Sequence, residues 1–251
     1  MTDYKAESIK PYNDKEGKAE QVEQMFDNIA PAYDTMNRTM TAGIDRRWRK
    51  IAVKMLSAYN PRRILDVATG TGDLALLLQR KLQPDVLVGI DLSENMLEIA
   101  ARKAERAGVS DRLVFEKQDC LSMSFADNSF DAVTVAYGVR NFEHLDKGFA
   151  EMFRVLKPGG VLCVIELSTP DRTPYKQGYR FYTSTLIPWI GKLVSKDGSA
   201  YTYLPRSIMA VPQGEAMLDI FRSVGFQDCF YRKLTFGVCT ICLLYTSDAA
   251  D

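Results

Sequence analysis

The sequence predicts an α/β fold, a mostly parallel seven-stranded sheet with helices on both faces and a C-terminal antiparallel hairpin. Three observations carry this. Between residues 63 and 167, apolar runs of strand length alternate with amphipathic helical runs across short connections, the pattern of a parallel sheet covered on both sides. The first apolar run, Ile64-Leu65-Asp66-Val67, passes through the glycine turn Gly70-Thr71-Gly72 into a helix, so a ligand is expected at the strand end. Near the C-terminus two strand-like runs, 227–234 and 238–244, are joined only by Thr235-Phe236-Gly237 and read as a hairpin.

In chain order, residues 1–15 carry charge, Pro11 and Asn13 with no apolar period and read as a loose arm. A helix is predicted from Glu16, because Val22, Met25, Phe26 and Ile29 recur at helical spacing, and Pro31 is expected to stop it. A second helix places Trp48, Ile51, Ala52, Met55 and Leu56 on one face. Strand one is 63–67 with a helix over 73–81. Strand two is 86–90, ending at Asp91, and Ser93 caps a helix carrying Met96, Leu97, Ala100 and Ala104. Gly108 ends that helix, strand three is 113–116, and it delivers Asp119 to a loop. Strand four is 131–136. A helix with Leu145, Phe149, Met152, Phe153 and Leu156 then runs to a stop at Lys157-Pro158-Gly159-Gly160, and strand five is 161–167.

The rhythm breaks over 170–212, where aromatics and prolines crowd and Tyr179, Tyr182, Leu186, Ile190 and Leu193 fit one side of a helix. A last amphipathic helix with Met217, Leu218, Ile220 and Phe221 is capped by Gly225 and leads into the hairpin.

Composition narrows the function classes. With 251 residues, 46% of them hydrophobic, the chain can form one large domain with a substantial core. Its formal charge is zero and it has no long basic run, so a nucleic-acid partner is not expected. No window approaches the roughly 18 continuous apolar residues of a membrane span, and the polar start does not read as a signal peptide. A cytoplasmic protein is expected. Cys120, Cys163, Cys229, Cys239 and Cys242 are scattered, three of them in apolar runs, and read as buried thiols, so no metal is expected.

The spacing Gly70-x-Gly72-x-x-Ala75, with Asp91 on the next strand end, also satisfies a dinucleotide fingerprint. Asp66 bears on the choice. A carboxylate at the carboxyl end of strand one repels a pyrophosphate and attracts a cation, and the methionine part of S-adenosylmethionine carries an ammonium and a sulfonium. Asp91 is then expected to accept from two ribose hydroxyls, and Asp119 from the adenine amino group. Three acids at three successive strand ends outline that cofactor.

These residues resemble the class I S-adenosylmethionine methyltransferases, with their Rossmann-like sheet. More narrowly, five stretches in order are similar to the quinone-biosynthesis C-methyltransferases: Tyr33-Asp34-Thr35-Met36-Asn37, Asp66 to Asp73, Phe130-Asp131 with Tyr137-Gly138-Val139-Arg140-Asn141, Arg154 to Gly160, and Tyr201 to Ser207. That resemblance implies C-methylation of demethylmenaquinol and, in some members, of the benzoquinol precursor of ubiquinone. It implies cofactor contacts at Thr71, Asp91 and the pair Asp119-Cys120, beside Asp66, Gly70 and Gly72 of the turn. Where the family often has asparagine and alanine, this chain has Asp119 and Cys120, and Ala136 stands where some members have serine.

C-methylation needs an electron-rich ring carbon aimed at the sulfonium methyl, so positioning and exclusion of water carry much of the catalysis. Tyr33, Arg140 and Asn141 are expected at the ring. Arg140 stabilises a developing phenolate or a water acting as base, Asn141 orients a ring oxygen, and Tyr33 closes the site from a helical cap over 1–60. His144, the only histidine, reads as a helix start. The prenylated quinol calls for an apolar groove, and 175–204, including Trp189, is expected to form the lid and tail groove. Transient contact with the inner face of the membrane follows, and a homodimer or a quinone-synthesis complex is compatible with it. Another small-molecule methyltransferase, or a non-catalytic cofactor-binding partner, is the alternative.

The ending 242–251 does not read as this family's. It matches a transposase sequencing adapter translated in frame and is set aside, leaving 1–241 as one methyltransferase domain with a lid insertion at 170–212.

Overall fold

The computed structural model describes residues 4–13, 15–187 and 198–247. Seven strands form one sheet: β1 (Arg63–Val67), β2 (Val86–Asp91), β3 (Leu113–Lys117), β4 (Phe130–Ala136), β5 (Leu156–Leu167), β6 (Gln227–Leu234) and β7 (Cys239–Tyr245), in the order β3-β2-β1-β4-β5-β7-β6. The first five are parallel, and β7 runs antiparallel to β5 and β6. The order reverses between β1 and β4, so the carboxyl edge there opens into a crevice.

Alternation along the strands sets the two cores. Leu65, Val67, Val133 and Val135 face one way, against Phe149, Met152 and Phe221. These last come from helices α5 (Leu145–Val155) and α8 (Glu215–Ser223). Ile64 and Ala132 face the other way, against Trp48, Ala52, Ala75 and Leu78. Those belong to α2 (Asp45–Leu56) and α3 (Asp73–Leu82). Helix α4 (Glu94–Arg106) begins where expected, with the Ser93 hydroxyl accepting from Met96 N–H at 3.2 Å.

Four expectations are corrected. Pro31 does not stop the first helix, and α1 runs Lys18–Thr41 through it. A proline there leaves the Asp27 carbonyl without its helical donor. Asn95 Nδ2 donates to that carbonyl at 3.2 Å, while Ser93 Oγ donates to Asp27 Oδ1 at 2.6 Å, so α4 fills the gap. The N-terminal arm is packed rather than loose: Ala6 is buried, and Glu7 Oε1 accepts from Leu145 N–H at 2.7 Å. The stretch 157–160 belongs to β5, where a register shift between Phe130 and Ala132 absorbs it. Beyond 170 the long helix is divided into α6 (Tyr175–Phe181), a π-helical turn (Tyr182–Leu186) and, after residues outside the description, α7 (Ser199–Ala210). Trp189, Ile190 and Leu193 lie outside the described residues.

All five cysteines are free thiols. The segment set aside from residue 242 enters the sheet: Cys242, Leu243 and Leu244 are buried in β7 and pair with β5. An apolar run supplies that pairing whatever its origin.

Candidate active site

A cavity of about 70 Å³ lies at the carboxyl ends of β1, β2 and β4. The turn above β1 bends through left-handed backbone at Ala68 (φ 50°), Gly70 (φ 56°) and Gly72 (φ 77°). The bend turns Gly70 N–H onto Asp91 Oδ2 at 2.8 Å, and Asp91 Oδ1 accepts from Ser93 N–H at 3.0 Å. Each oxygen keeps acceptor capacity for a ligand. Burial raises the Asp91 pKa above the usual carboxylate range, against the lowering effect of those N–H groups. Asp119 Oδ1 accepts from Leu121 N–H at 2.9 Å, and burial together with the Asp119 charge pushes the Cys120 thiol up, so it stays protonated. Gly138 closes the floor, because a Cβ there would come within 2.7 Å of the Ala68 Cβ.

The lining charges are one-sided. Glu23, Asp91, Asp119 and Glu143 contribute, and no lysine or arginine does among the described residues. Apolar walls from Ile90, Leu92, Met96 and Leu121, with acids at the ends, suit a flat base joined to a cationic group and poorly suit a pyrophosphate.

Three expected contacts lie behind this cavity rather than in it. Asp66 is buried and faces Thr134 across the β1–β4 register. Its two oxygens accept from Thr134 Oγ1 at 2.6 Å and Thr69 Oγ1 at 2.7 Å, so it is satisfied by hydroxyls rather than left unpaired. Burial raises its pKa to about 6, against the lowering by those two bonds. Thr71 donates to Asp34 Oδ1 at 2.7 Å and accepts from Lys103 Nζ at 3.0 Å, which turns its side chain away. Lys103 is shared with Asp34 at 2.6 Å and Asp73 at 2.7 Å. Gly72 packs on α4, where a Cβ would meet the Ala100 Cβ at 3.0 Å.

A second cavity, about 220 Å³ and largely apolar, adjoins the first. Tyr33 and Tyr137 line both, and a small cleft beside them holds Arg140 and Asn141 with Tyr203. The structure therefore brings Tyr33, Arg140 and Asn141 together, as expected. Arg140 Nη1 bonds Glu166 Oε1 at 2.8 Å and also reaches the Tyr137 carbonyl. Burial is the largest influence and opposes its charge, but Glu166 with Tyr33 and Tyr203 together outweigh it and hold the guanidinium above its ordinary pKa. Asn141 Oδ1 accepts from the Tyr203 hydroxyl at 3.1 Å. Burial also raises the Tyr33 pKa. Two of the three buried side-chain polar atoms lacking a partner among the described residues are here, Arg140 Nε and the Tyr137 hydroxyl. Orphaned polar atoms of this kind call for a partner, a water or a bound ligand. Tyr137 is also held left-handed (φ 60°) beneath Arg49, whose guanidinium lies 5.3 Å from its ring. His144 stands at the N-cap of α5 and lines none of these cavities.

Glu166, Arg49 and Lys18 escaped the reading of the sequence, and Tyr203 entered it only within the Tyr201 to Ser207 stretch and the lid, not as the partner of Asn141. Lys18 is fully buried and donates to the carbonyls of Ala6, Arg140 and Phe142 at 2.7, 2.9 and 3.0 Å, which fixes the backbone around Asn141. Burial lowers its pKa to about 7. A charged residue at an apolar helix position was the available signal for Lys18, and the acid ending an otherwise apolar strand was the signal for Glu166.

The sequence profile of the ubiE/COQ5 methyltransferase family matches residues 14–245. A demethylmenaquinone methyltransferase of Bacteroides fragilis is 54% identical over 97% of this chain and 98% of its own length. A ubiquinone/menaquinone biosynthesis C-methyltransferase of Geobacter sulfurreducens is 44% identical over 89% of this chain and 88% of its own. Among solved structures, the [4+2]-cyclase SpnF superposes with a TM-score of 0.66 at 20% identity, covering 92% of this chain and 97% of that one, a likeness of fold alone.

Proposed function

The chain belongs to the ubiE/COQ5 methyltransferase family, and from that membership we propose that it is an S-adenosylmethionine-dependent C-methyltransferase converting demethylmenaquinol to menaquinol. The observation that carries the reading is the meeting of two unlike cavities at Tyr33 and Tyr137, one acid-lined without a base, the other apolar and edged by a buried Arg140–Glu166 pair. When bound, the cofactor supplies an electrophilic methyl group.

The chain's residues divide the remaining work. Asp91, pinned by Gly70 and Ser93, accepts from the ribose hydroxyls, and Asp119 accepts from the adenine amine. Cys120 contributes its backbone. Gly70 leaves space beside Tyr33, and Asp66, Thr71 and Gly72 hold the turn from behind. Asp66 adds a negative field under the cationic group rather than a direct contact. On the acceptor side, Arg140 faces the quinol oxygen and stabilises the phenolate that forms as the hydroxyl proton passes to a water acting as base, which makes the ring carbon nucleophilic. Asn141, oriented by Tyr203, fixes that oxygen, and Tyr33 excludes water where the two cavities join. The isoprenoid tail follows the apolar cavity past Tyr179, Tyr182, Leu204 and Ile208. A prenylated acceptor places the enzyme at the cytoplasmic face of the membrane.

The test is methyl transfer from labelled cofactor to demethylmenaquinol and to the demethylated benzoquinol, side by side. Label in the menaquinol product is expected. Cofactor binding with no label in either quinol overturns the reading.

A further inference from the structure

Helix α6 is largely uncovered: none of its seven residues is fully buried, and only Tyr179 among them lines the apolar cavity. Tyr175 and Phe181 at its ends are 45% and 61% exposed, and Phe236, on the left-handed turn between β6 and β7, is 67% exposed. Tyr175 and Phe236 stack on each other with centroids 4.1 Å apart and planes 5° from parallel. Large apolar rings clustered in water at the end of a domain signal a partner.

What lies beneath the stack indicates the partner. An open groove runs under Tyr175 and Phe236 and shares Tyr179, Tyr182, Thr235 and Val238 with the apolar cavity of the active site. The exposed rings therefore form the rim of a passage leading inward. Arg172, just before α6, and Lys176 and Arg180 on it stand exposed, and none makes an ion pair with a described residue. A surplus of cations without an ion pair among the described residues, beside aromatic rings on a chain of zero net charge, complements an anionic bilayer surface: the rings seat at headgroup depth and the cations meet lipid phosphates. Among the described residues no helix is long and apolar enough to cross a membrane, so contact of this kind is peripheral.

We infer that α6 and the β6–β7 turn form a docking surface for an anionic phospholipid bilayer, set around the opening through which a lipid-tailed substrate enters. The surface rests on the quinol reading of the active site for its purpose, but its binding is measured without turnover.

The test is flotation of the full chain with vesicles of phosphatidylglycerol and phosphatidylethanolamine, and with phosphatidylcholine alone. Wild type is compared with Phe181→Ser/Phe236→Ser and with Lys176→Glu/Arg180→Glu, using the Kd for S-adenosylhomocysteine as the check on folding. Wild type binds the anionic vesicles, and each double variant binds at least about tenfold more weakly with its Kd unchanged. Wild type that fails to float, or variants that float like wild type, overturn the inference. So does a wild-type dimer that Phe236→Ser dissociates, since the rings then serve a second copy. Vesicle binding without methylation of any quinol refutes the proposed reaction and leaves the surface standing.

Discussion

The acid-lined cavity and the apolar cavity share Tyr33 and Tyr137 but are built on opposite plans. In the first, carboxylates at strand ends are fixed by backbone N–H groups a few residues away or on the neighbouring strand, as Gly70 and Ser93 fix Asp91. In the second and the cleft beside it, side chains reach across long stretches of sequence. Asn141 is held by Tyr203 in the cleft, Trp48 by Thr235 at 2.8 Å, and the Tyr182 hydroxyl donates to the Met40 carbonyl. A site fixed by backbone survives side-chain change around it, whereas a site fixed by side chains changes with each of them. The acid-lined half, assigned to the cofactor, should therefore tolerate change in neighbouring side chains better than the half assigned to the acceptor.

The contrast is sharpest at the buried pair. Glu166→Leu leaves Arg140 without its counter-charge and should cost about 3–5 kcal/mol in chemical denaturation. The double variant Glu166→Leu/Arg140→Met should recover most of that stability and none of the turnover, and recovery of both would show the pair to be structural only.

Asp66 gives the cofactor half its own signature. Its pKa rises from 3.8 in the unfolded chain to about 6 in the native protein, so between those values the native state holds a proton that the unfolded state has released. Stability contributed by this group falls as pH rises through that window and is flat above it, a difference of about 3 kcal/mol at most. Asp66→Asn should remove that component from the pH profile of unfolding. An unchanged profile would mean that Asp66 is not buried as described.

Asp91→Ala removes acceptors for two hydroxyls and should raise the cofactor Kd by about 100-fold, read by calorimetry, with the quinol KM nearly unchanged. A parallel rise in both constants would break the division between the halves. The smallest effect is expected at Tyr203→Phe, which frees Asn141 to rotate and should raise the quinol KM about fivefold, with the cofactor Kd constant.

How much the sequence revealed follows the same division. Strand alternation, the Ser93 cap, and the positions of Gly70, Asp91 and Asp119 are local properties, and the structure carries them where expected. Thr71 looked like a turn residue facing the ligand because the draw of Asp34 and Lys103 comes from α1 and α4, which the turn's own sequence does not contain. Pro31 looked like a helix stop for the same reason: the donor that replaces its missing N–H is Asn95, on another helix. Arg140 and Asn141 were legible from the motif that carries them, but the part of Glu166 and Tyr203 in holding them was not. Nothing in β5 or α7 taken alone says which loop its polar side chains face.

The most direct test of this account is turnover of demethylmenaquinol by Arg140→Ala, measured beside its cofactor Kd. Turnover at least about 100-fold below wild type, with a Kd within about twofold, is the predicted result. Full turnover, or a Kd that rises in step with the lost activity, would contradict it.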